Sequence, residues 1–390
     1  MVSSASRRSR LNFETLLLTS HHRLLTEQEP PVSIWRWAER FSQTPEKYRV
    51  TLGEGRTPLV RSRRIGPSLG VPSLYFKLES SNPTGSYKDR FGAAAISDML
   101  ANGKRRCIAT SSGNTGAALA AYCAVAGMEC LIAVIDSVPA GKLKQMMAYG
   151  ANVVRIRGFG VNDVDTQRGF ERLDELSAAE DAQLQVSAFK YSLAGMLGVK
   201  TISYELAEDL GADIDHVFSP AGGCGLTLAV ARGFDDLLAL GEIDRGPRIE
   251  CVQPAGCNTT AGALRDGRSE AQPVECTTTI SGLQVPCVID GNEMIVACRS
   301  SRGTGHVVDD EPIHAAQKRL ALEEGIFCEP AGATAFAGAL DAIGSGMVDR
   351  DAVVVCLVTG SGFKDEPSVD RMLEGCESPV VTVDEFQQWE

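Results

Sequence analysis

Short apolar runs with β character alternate with longer stretches of helical periodicity along most of the chain. The runs cover residues 74–78, 107–109, 131–135, 153–156, 217–218, 249–252 and 353–358, and turn-forming residues separate each run from the next segment. Between them, the spacing of apolar positions predicts helices over 89–102, 115–126, 140–149, 166–179, 197–210, 225–240, 311–324 and 331–343. Strands separated by helices pair most readily in parallel, because the crossover returns the chain to the same end of the sheet. The pattern therefore predicts an α/β protein built on mainly parallel sheets. Residues 1–50 differ in texture. There "SIWRWAERF" suggests one amphipathic helix ahead of the first strand, and we read 1–50 as an N-terminal extension. The chain has no internal repeat and no low-complexity tract.

Size and charge narrow the function. The 390 residues, 44% of them hydrophobic, suffice for two domains. A formal net charge of -12 repels phosphate backbones, and the arginine clusters at 7–10 and 61–64 are too short to offset it, so no nucleic acid is expected as partner. The longest apolar runs, 130–135 and 352–358, are far too short to span a bilayer, so no membrane is expected either. The start "MVSSASRRSR" is rich in Ser and Arg and free of acids, as transit peptides are, yet Glu14 follows and no secretory apolar segment is present. It reads as a solvated terminus, and the location as cytoplasmic. Twelve cysteines are scattered from Cys107 to Cys376 without a Cys-x-x-Cys pair. That predicts buried, reduced thiols in place of a zinc knuckle or a disulfide framework. His216, His306 and His314 lack metal-ligand spacing, read as surface or structural residues, and no metal is expected.

Four predicted strand–helix junctions carry unusual residues. In "SSNPTGSYKDR", residues 80–90, an Asn-Pro and Gly turn delivers Lys88 to the first turn of a helix. The helix dipole disfavours positive charge there, which favours the neutral amine needed for Schiff-base chemistry. Alone, the stretch also fits a solvated first-turn lysine. In "TSSGNTGAALAAY", residues 110–122, the hydroxyls of Ser111, Ser112 and Thr115 join backbone N–H groups at a helix start to suit a carboxylate. Asn114 could bond a ring substituent, although an ordinary capped helix start looks the same. In "FSPAGGCGLTLAV", residues 218–230, Gly222, Gly223 and Gly225 let backbone amides approach a phosphate; the spacing is neither that of a nucleoside-triphosphate loop nor Gly-x-Gly-x-x-Gly. In "VVVCLVTGSGFKD", residues 353–365, a buried-type strand ends in Thr359-Gly360-Ser361-Gly362, and strand ends are where open α/β sheets bind ligands. A ligand with a carbonyl for an amine, a phosphate, and ring groups for an amide and a hydroxyl meets all four demands. Pyridoxal 5'-phosphate is such a ligand.

These stretches, together with "GEGRTPLV", "GKLKQMMAYGANVV", "GPRIECVQPAGC" and "EEGIFCEPAGATAFAG", resemble the fold-type II pyridoxal-phosphate enzymes, and among them the threonine synthase branch, from residue 53 to about 365. The resemblance implies two open, mainly parallel sheet domains with flanking helices: a large domain from 51–96 and 197–375, a small mobile one from 97–196, and a tail at 376–390. It implies that Lys88 carries the cofactor and is the catalytic residue, and that Asn114 meets the cofactor's phenolic oxygen. Gly222, Gly223, Cys224, Gly225 and Leu226 would cradle its phosphate, with Thr359 facing the pyridine nitrogen. Ser111, Ser112, Asn114 and Thr115 would hold the substrate's carboxylate. A homodimer and a small amino-acid substrate follow from the same resemblance, as does elimination or replacement at Cβ or Cγ with an oxygen-linked leaving group, the family activity being conversion of O-phosphohomoserine to threonine. A neutral Thr359 hydroxyl would leave the pyridine nitrogen unprotonated and favour elimination over transamination or racemisation.

Two stretches depart from the branch. "GMLGVKT" at 195–201 has Gly195, Leu197 and Val199 in place of the arginine, glutamate and glutamine of Arg-x-Glu-Gly-Gln-Lys-Thr, which removes an anchor for a substrate phosphate. "TISGLQVP" at 279–286 stands where the branch has Ile-Arg-Ile-Gly-Asn-Pro. A serine/threonine-type ammonia-lyase, a β-replacement synthase and a cofactor-binding homologue without turnover are the alternatives. Glu329-Pro330 reads as a helix start by proline logic, and in related lyases this region helps hold a monovalent cation.

Overall fold

The computed structural model describes residues 33–138, 140–159 and 162–387. The Ser/Arg-rich start with its 7–10 arginine cluster, most of the 1–50 extension and the last three residues of the 376–390 tail lie outside them. Ten strands are found among the described residues: β1 (Leu59–Arg61), β2 (Leu74–Leu78), β3 (Arg106–Ala109), β4 (Glu129–Ile135), β5 (Asn152–Ile156), β6 (Ala182–Leu184), β7 (His216–Pro220), β8 (Arg248–Pro254), β9 (Gly305–Val308) and β10 (Val354–Val358). Six make one sheet, in the order β1-β2-β10-β7-β8-β9, and four make another, in the order β5-β4-β3-β6. Every pairing is parallel except β1 with β2. This is the expected α/β architecture of two mainly parallel sheets with flanking helices.

A strand covered on both faces has no polar side to show, and β10 illustrates it. All five residues of "VVCLV" are buried. Val354, Cys356 and Val358 pack with Phe76, Phe218 and Phe336 on one face, while Val355 and Leu357 join the core on the other. β10 lies between β2 and β7, with Val358 opposite Leu78 and Cys356 opposite Phe218. Three neighbouring strands thus end side by side. Their ends lead into Lys88, Thr359 and Gly222, so three neighbouring strands deliver three polar junctions to one place.

The helix expected over 197–210 is two helices, Leu193–Val199 and Thr201–Leu210. The break follows from Thr201, whose hydroxyl donates to the Gly198 carbonyl at 2.7 Å, while the Lys200 N–H turns back to Leu197. The first of the two packs closely on helix Lys88–Ala101. A Cβ on Gly198 would come within 2.6 Å of the Arg90 carbonyl, and one on Gly195 within 2.5 Å of the Phe91 ring. "SIWRWAERF" forms a 3-10 turn, Ile34–Trp37, and one α-turn, Ala38–Phe41, in place of a longer amphipathic helix. Ile34, Trp35, Trp37, Ala38 and Phe41 are buried in the main core.

Beneath the Lys88 helix lies a buried ion network. Arg90 donates to Glu79 Oε1 and Glu205 Oε1, each at 2.7 Å, and Lys77 pairs with Glu205 at 2.8 Å. Arg90 and Glu79 are fully buried. His216 and His306 are buried too, both bonded to Glu250, so they are structural residues and not surface ones. All twelve cysteines are free thiols; nine are buried as expected, Cys276 is half-buried, and Cys287 and Cys376 are exposed.

Candidate active site

Lys88 is the first residue of its helix, and its Nζ donates to Ser187 Oγ at 2.6 Å. Burial pushes its pKa down to about 7, against the attraction of Glu329 and Asp290, which raise it. The residue is therefore a half-buried amine, desolvated enough to have a substantial neutral fraction at ordinary pH. It is not a solvated first-turn lysine.

The four junctions converge on it. Ser187 Oγ also lies 3.0 Å from Thr115 Oγ1, and the Ser187 carbonyl would be 3.3 Å from a Cβ on Gly225. Asn114, at the start of helix Asn114–Ala126, donates its amide to Glu329 Oε1 at 2.7 Å. The N–H of Tyr87 donates to the Thr359 carbonyl at 3.0 Å, tying the buried β10 end to the residue before Lys88. Ser111 turns back on its own loop, its hydroxyl accepting the Gly113 N–H at 3.3 Å, and Ser112 faces an adjoining cleft.

The glycine stretch after β7 is built for close approach. Cβ atoms on Gly222 and Gly223 would stand 3.1 Å and 3.3 Å from the neighbouring segment that carries Gly282 and Ile289. Cys224 adopts a left-handed φ of 71°, unusual for a residue with a side chain, and directs the chain into helix Gly225–Ala239. Among the described residues, no acceptor meets the backbone N–H groups of Gly222, Gly223, Cys224, Gly225 or Leu226. Five amide donors at a helix N-terminus make a ready anion cradle.

Residues without a clear signal in the sequence complete the site. Glu329 stands at the N-cap of helix Pro330–Gly344, but its side chain does not cap that helix. It turns to Asn114, and burial pushes its carboxyl up to about 7, against the Asn114 amide and the Lys364 charge, which lower it. A Cβ on Gly360 would fall 2.1 Å from Glu329 Oε1, so only glycine leaves room for that carboxyl. Beside Asn114 and Glu329 opens a cleft of about 230 Å³ whose lining includes Ser112, Lys142, Ser281 and Lys364. Lys142 donates to Ser281 Oγ at 2.6 Å and Lys364 to Gln145 Oε1 at 2.5 Å. Nothing in the sequence around Ser187 points to its role. For Glu329 the available hint is a glutamate at an N-cap, where Ser, Thr, Asp or Asn are preferred.

A half-buried amine that can lose its proton, with an anion cradle alongside, suits a cofactor carrying both an aldehyde and a phosphate, and the donors present fit pyridoxal 5'-phosphate. Comparison with known proteins agrees. The family model described as "Pyridoxal-phosphate dependent enzyme" matches residues 50–360. The chain is 33% identical to a threonine synthase of Methanocaldococcus jannaschii across 90% of this chain and 84% of that protein. It is 34% identical to a threonine synthase of Mycobacterium tuberculosis across 87% and 90%. Among solved structures, the processed form of threonine deaminase isoform 2 from Solanum lycopersicum superposes with a TM-score of 0.69 at 21% identity, covering 96% of this chain and 98% of that one. O-ureido-L-serine synthase does so with a TM-score of 0.65 at 24% identity, covering 86% and 97%. Those two likenesses show the fold.

The fold and site are those of a two-sheet α/β enzyme that works through a phosphorylated carbonyl cofactor. The chain belongs to the pyridoxal-phosphate dependent enzyme family, within which it is a lyase of threonine-synthase type.

Proposed function

We propose that this enzyme converts O-phosphohomoserine and water to threonine and phosphate, with Lys88 as the residue that carries the cofactor and moves the protons. The observation that carries the reading is the half-buried Lys88 amine, its pKa lowered to about 7, beside the glycine loop. When bound, pyridoxal phosphate supplies an electron sink for charge developing at the substrate's Cα. Residues 222–226 would hold its phosphate, Asn114 its ring oxygen and Thr359 its ring nitrogen. Ser111, Ser112, Asn114 and Thr115 would bind the substrate's carboxylate at the start of their helix. Lys88, whose amine lies at the centre of these groups, would take a proton from the substrate's Cα and return one further along the substrate, a contribution of roughly 10² to 10⁴ in rate.

The lost family arginine bears on the phosphate. Gly195 is packed against Phe91, so its position serves helix contact, and it is not among the residues lining the cleft. Lys142 and Lys364 share the cleft with Glu329, Glu366 and Asp370, and are the two cations there that could meet a phosphate leaving group. Residues 97–196 would move as one unit against 51–96 and 197–375, since the cleft runs between Ser112 or Lys142 on one side and Glu329 or Lys364 on the other. The resemblance further supports a homodimer, which sedimentation of the purified protein checks, and the free thiols fit a cytoplasmic location. No helix among the described residues is long and apolar enough to cross a membrane.

The test is a panel of amino acids in which phosphate, ammonia and new amino acids are scored separately. Phosphate release matched by threonine from O-phosphohomoserine is the expected result. Ammonia and a keto acid from serine or threonine, with O-phosphohomoserine inert, would instead assign an ammonia-lyase.

A further inference from the structure

Cys107, Cys123 and Cys130 stand apart from the site described above. Cys107 in β3 and Cys130 in β4 are direct partners in the parallel register. Cys123 lies in the last turn of helix Asn114–Ala126, which packs over those strands. All three are buried, and their sulfurs lie within 4.8 Å of one another, surrounded by an apolar core that includes Ile132, Leu119 and Ala109. Three sulfurs bound at ~2.3 Å to one ion at the apex of a pyramid stand roughly 3.5 Å apart, so this cluster needs a closing movement of about an ångström to become a ligand set.

We propose that the three cysteines form a binding site for a soft, thiophilic trivalent ion, of which arsenite is the accessible probe. Softness follows from the ligand atoms, which are all sulfur. The valence follows from charge. Three thiolates around a monovalent or divalent ion leave net negative charge in an apolar core, whereas around a trivalent ion they leave none. With arsenite, three S–H bonds and three As–OH bonds break, three As–S bonds form, and three waters leave. The oxidation state of arsenic does not change, and no other reactant is needed. A bound ion would fasten the helix that begins at Asn114 to the sheet beneath it.

The experiment is native mass spectrometry of the reduced holoenzyme after incubation with arsenite alone. The expected adduct is one arsenic minus three hydrogens per chain, accompanied by a higher midpoint of thermal unfolding. Cys123→Ala and Cys130→Ala, tested separately, should each lose both effects. Other thiols also lie near each other, Cys251 by Cys224 and Cys257 by Cys276, so an adduct that persists in either variant overturns the proposal, as does no adduct in the wild type. Should the variants fail to fold, differential alkylation of the wild-type adduct decides the matter. Cys107, Cys123 and Cys130 must be the protected residues, and protection of others in their place overturns the site.

Discussion

Replacing Glu329 with glutamine isolates the electrostatics of the site. Glu329 accepts the Asn114 amide at 2.7 Å, and burial raises its pKa from 4.5 to about 7. At 1.36 kcal/mol per pH unit, ionising this carboxyl in the fold costs at most about 3 kcal/mol more than in the unfolded chain. A group whose folded pKa lies above its unfolded one stabilises the fold fully below the unfolded value and loses that contribution as pH rises through the folded value. Cofactor-free wild type should therefore lose up to about 3 kcal/mol from this group between pH 4.5 and pH 7. Glu329→Gln keeps the size of the side chain and a carbonyl for Asn114, has no proton to lose, and escapes the loss. Urea unfolding of both proteins, freed of cofactor, at about pH 5 and about pH 8 reads the effect, since groups that do not feel Glu329 cancel in the difference. The stability of wild type relative to the variant should fall from the lower pH to the higher. A difference that stays flat, or that rises, refutes the reasoning.

Arg90→Met leaves Glu79 and Glu205 buried without their shared guanidinium, and should cost about 3–5 kcal/mol in urea unfolding; an effect near zero would mean that the network is solvated. Gly360→Ala sets a methyl against the Glu329 carboxyl and should drive it off Asn114, weakening cofactor binding about tenfold or more in equilibrium dialysis, as loss of a charge-assisted hydrogen bond would. Unchanged binding would remove the Glu329–Asn114 pair from the cofactor's surroundings. Thr359→Ser should be mild, whereas Thr359→Asp should raise transamination and racemisation relative to elimination in a cofactor-loaded protein. An unchanged product ratio in the Asp variant would mean that Thr359 does not face the ring nitrogen.

The parts of the fold that are legible in the sequence are those whose signal is local. β4 and β10 are apolar runs with at most one polar residue, as a strand covered on both faces tends to be, while β2, β7 and β8 are read from the apolar stretches at their centres. β6, "AQL", and β9, "GHVV", escape such a reading because a three- or four-residue strand takes its stability from its neighbours and leaves no periodicity to read. The same division runs through the site. Lys88, Asn114, Gly222 and Thr359 sit at strand–helix junctions, where a turn, a glycine and a polar residue coincide in a few positions. Ser187 meets Lys88 across 99 positions, and Asn114 meets Glu329 across 215, which no local pattern can encode. Glu329 is hidden for a related reason. Its Pro330 neighbour explains the helix start so well that nothing local points to the side chain's own partner.

Where the cofactor is attached decides the role of Lys88 most directly. The purified, cofactor-loaded protein is reduced with borohydride, digested, and mapped by mass spectrometry. The expected product is a pyridoxyl group on Lys88, the lysine bonded to Ser187 beside the glycine loop. A pyridoxyl group on Lys142, Lys364 or any other lysine, or none after incubation with pyridoxal phosphate, would contradict that role.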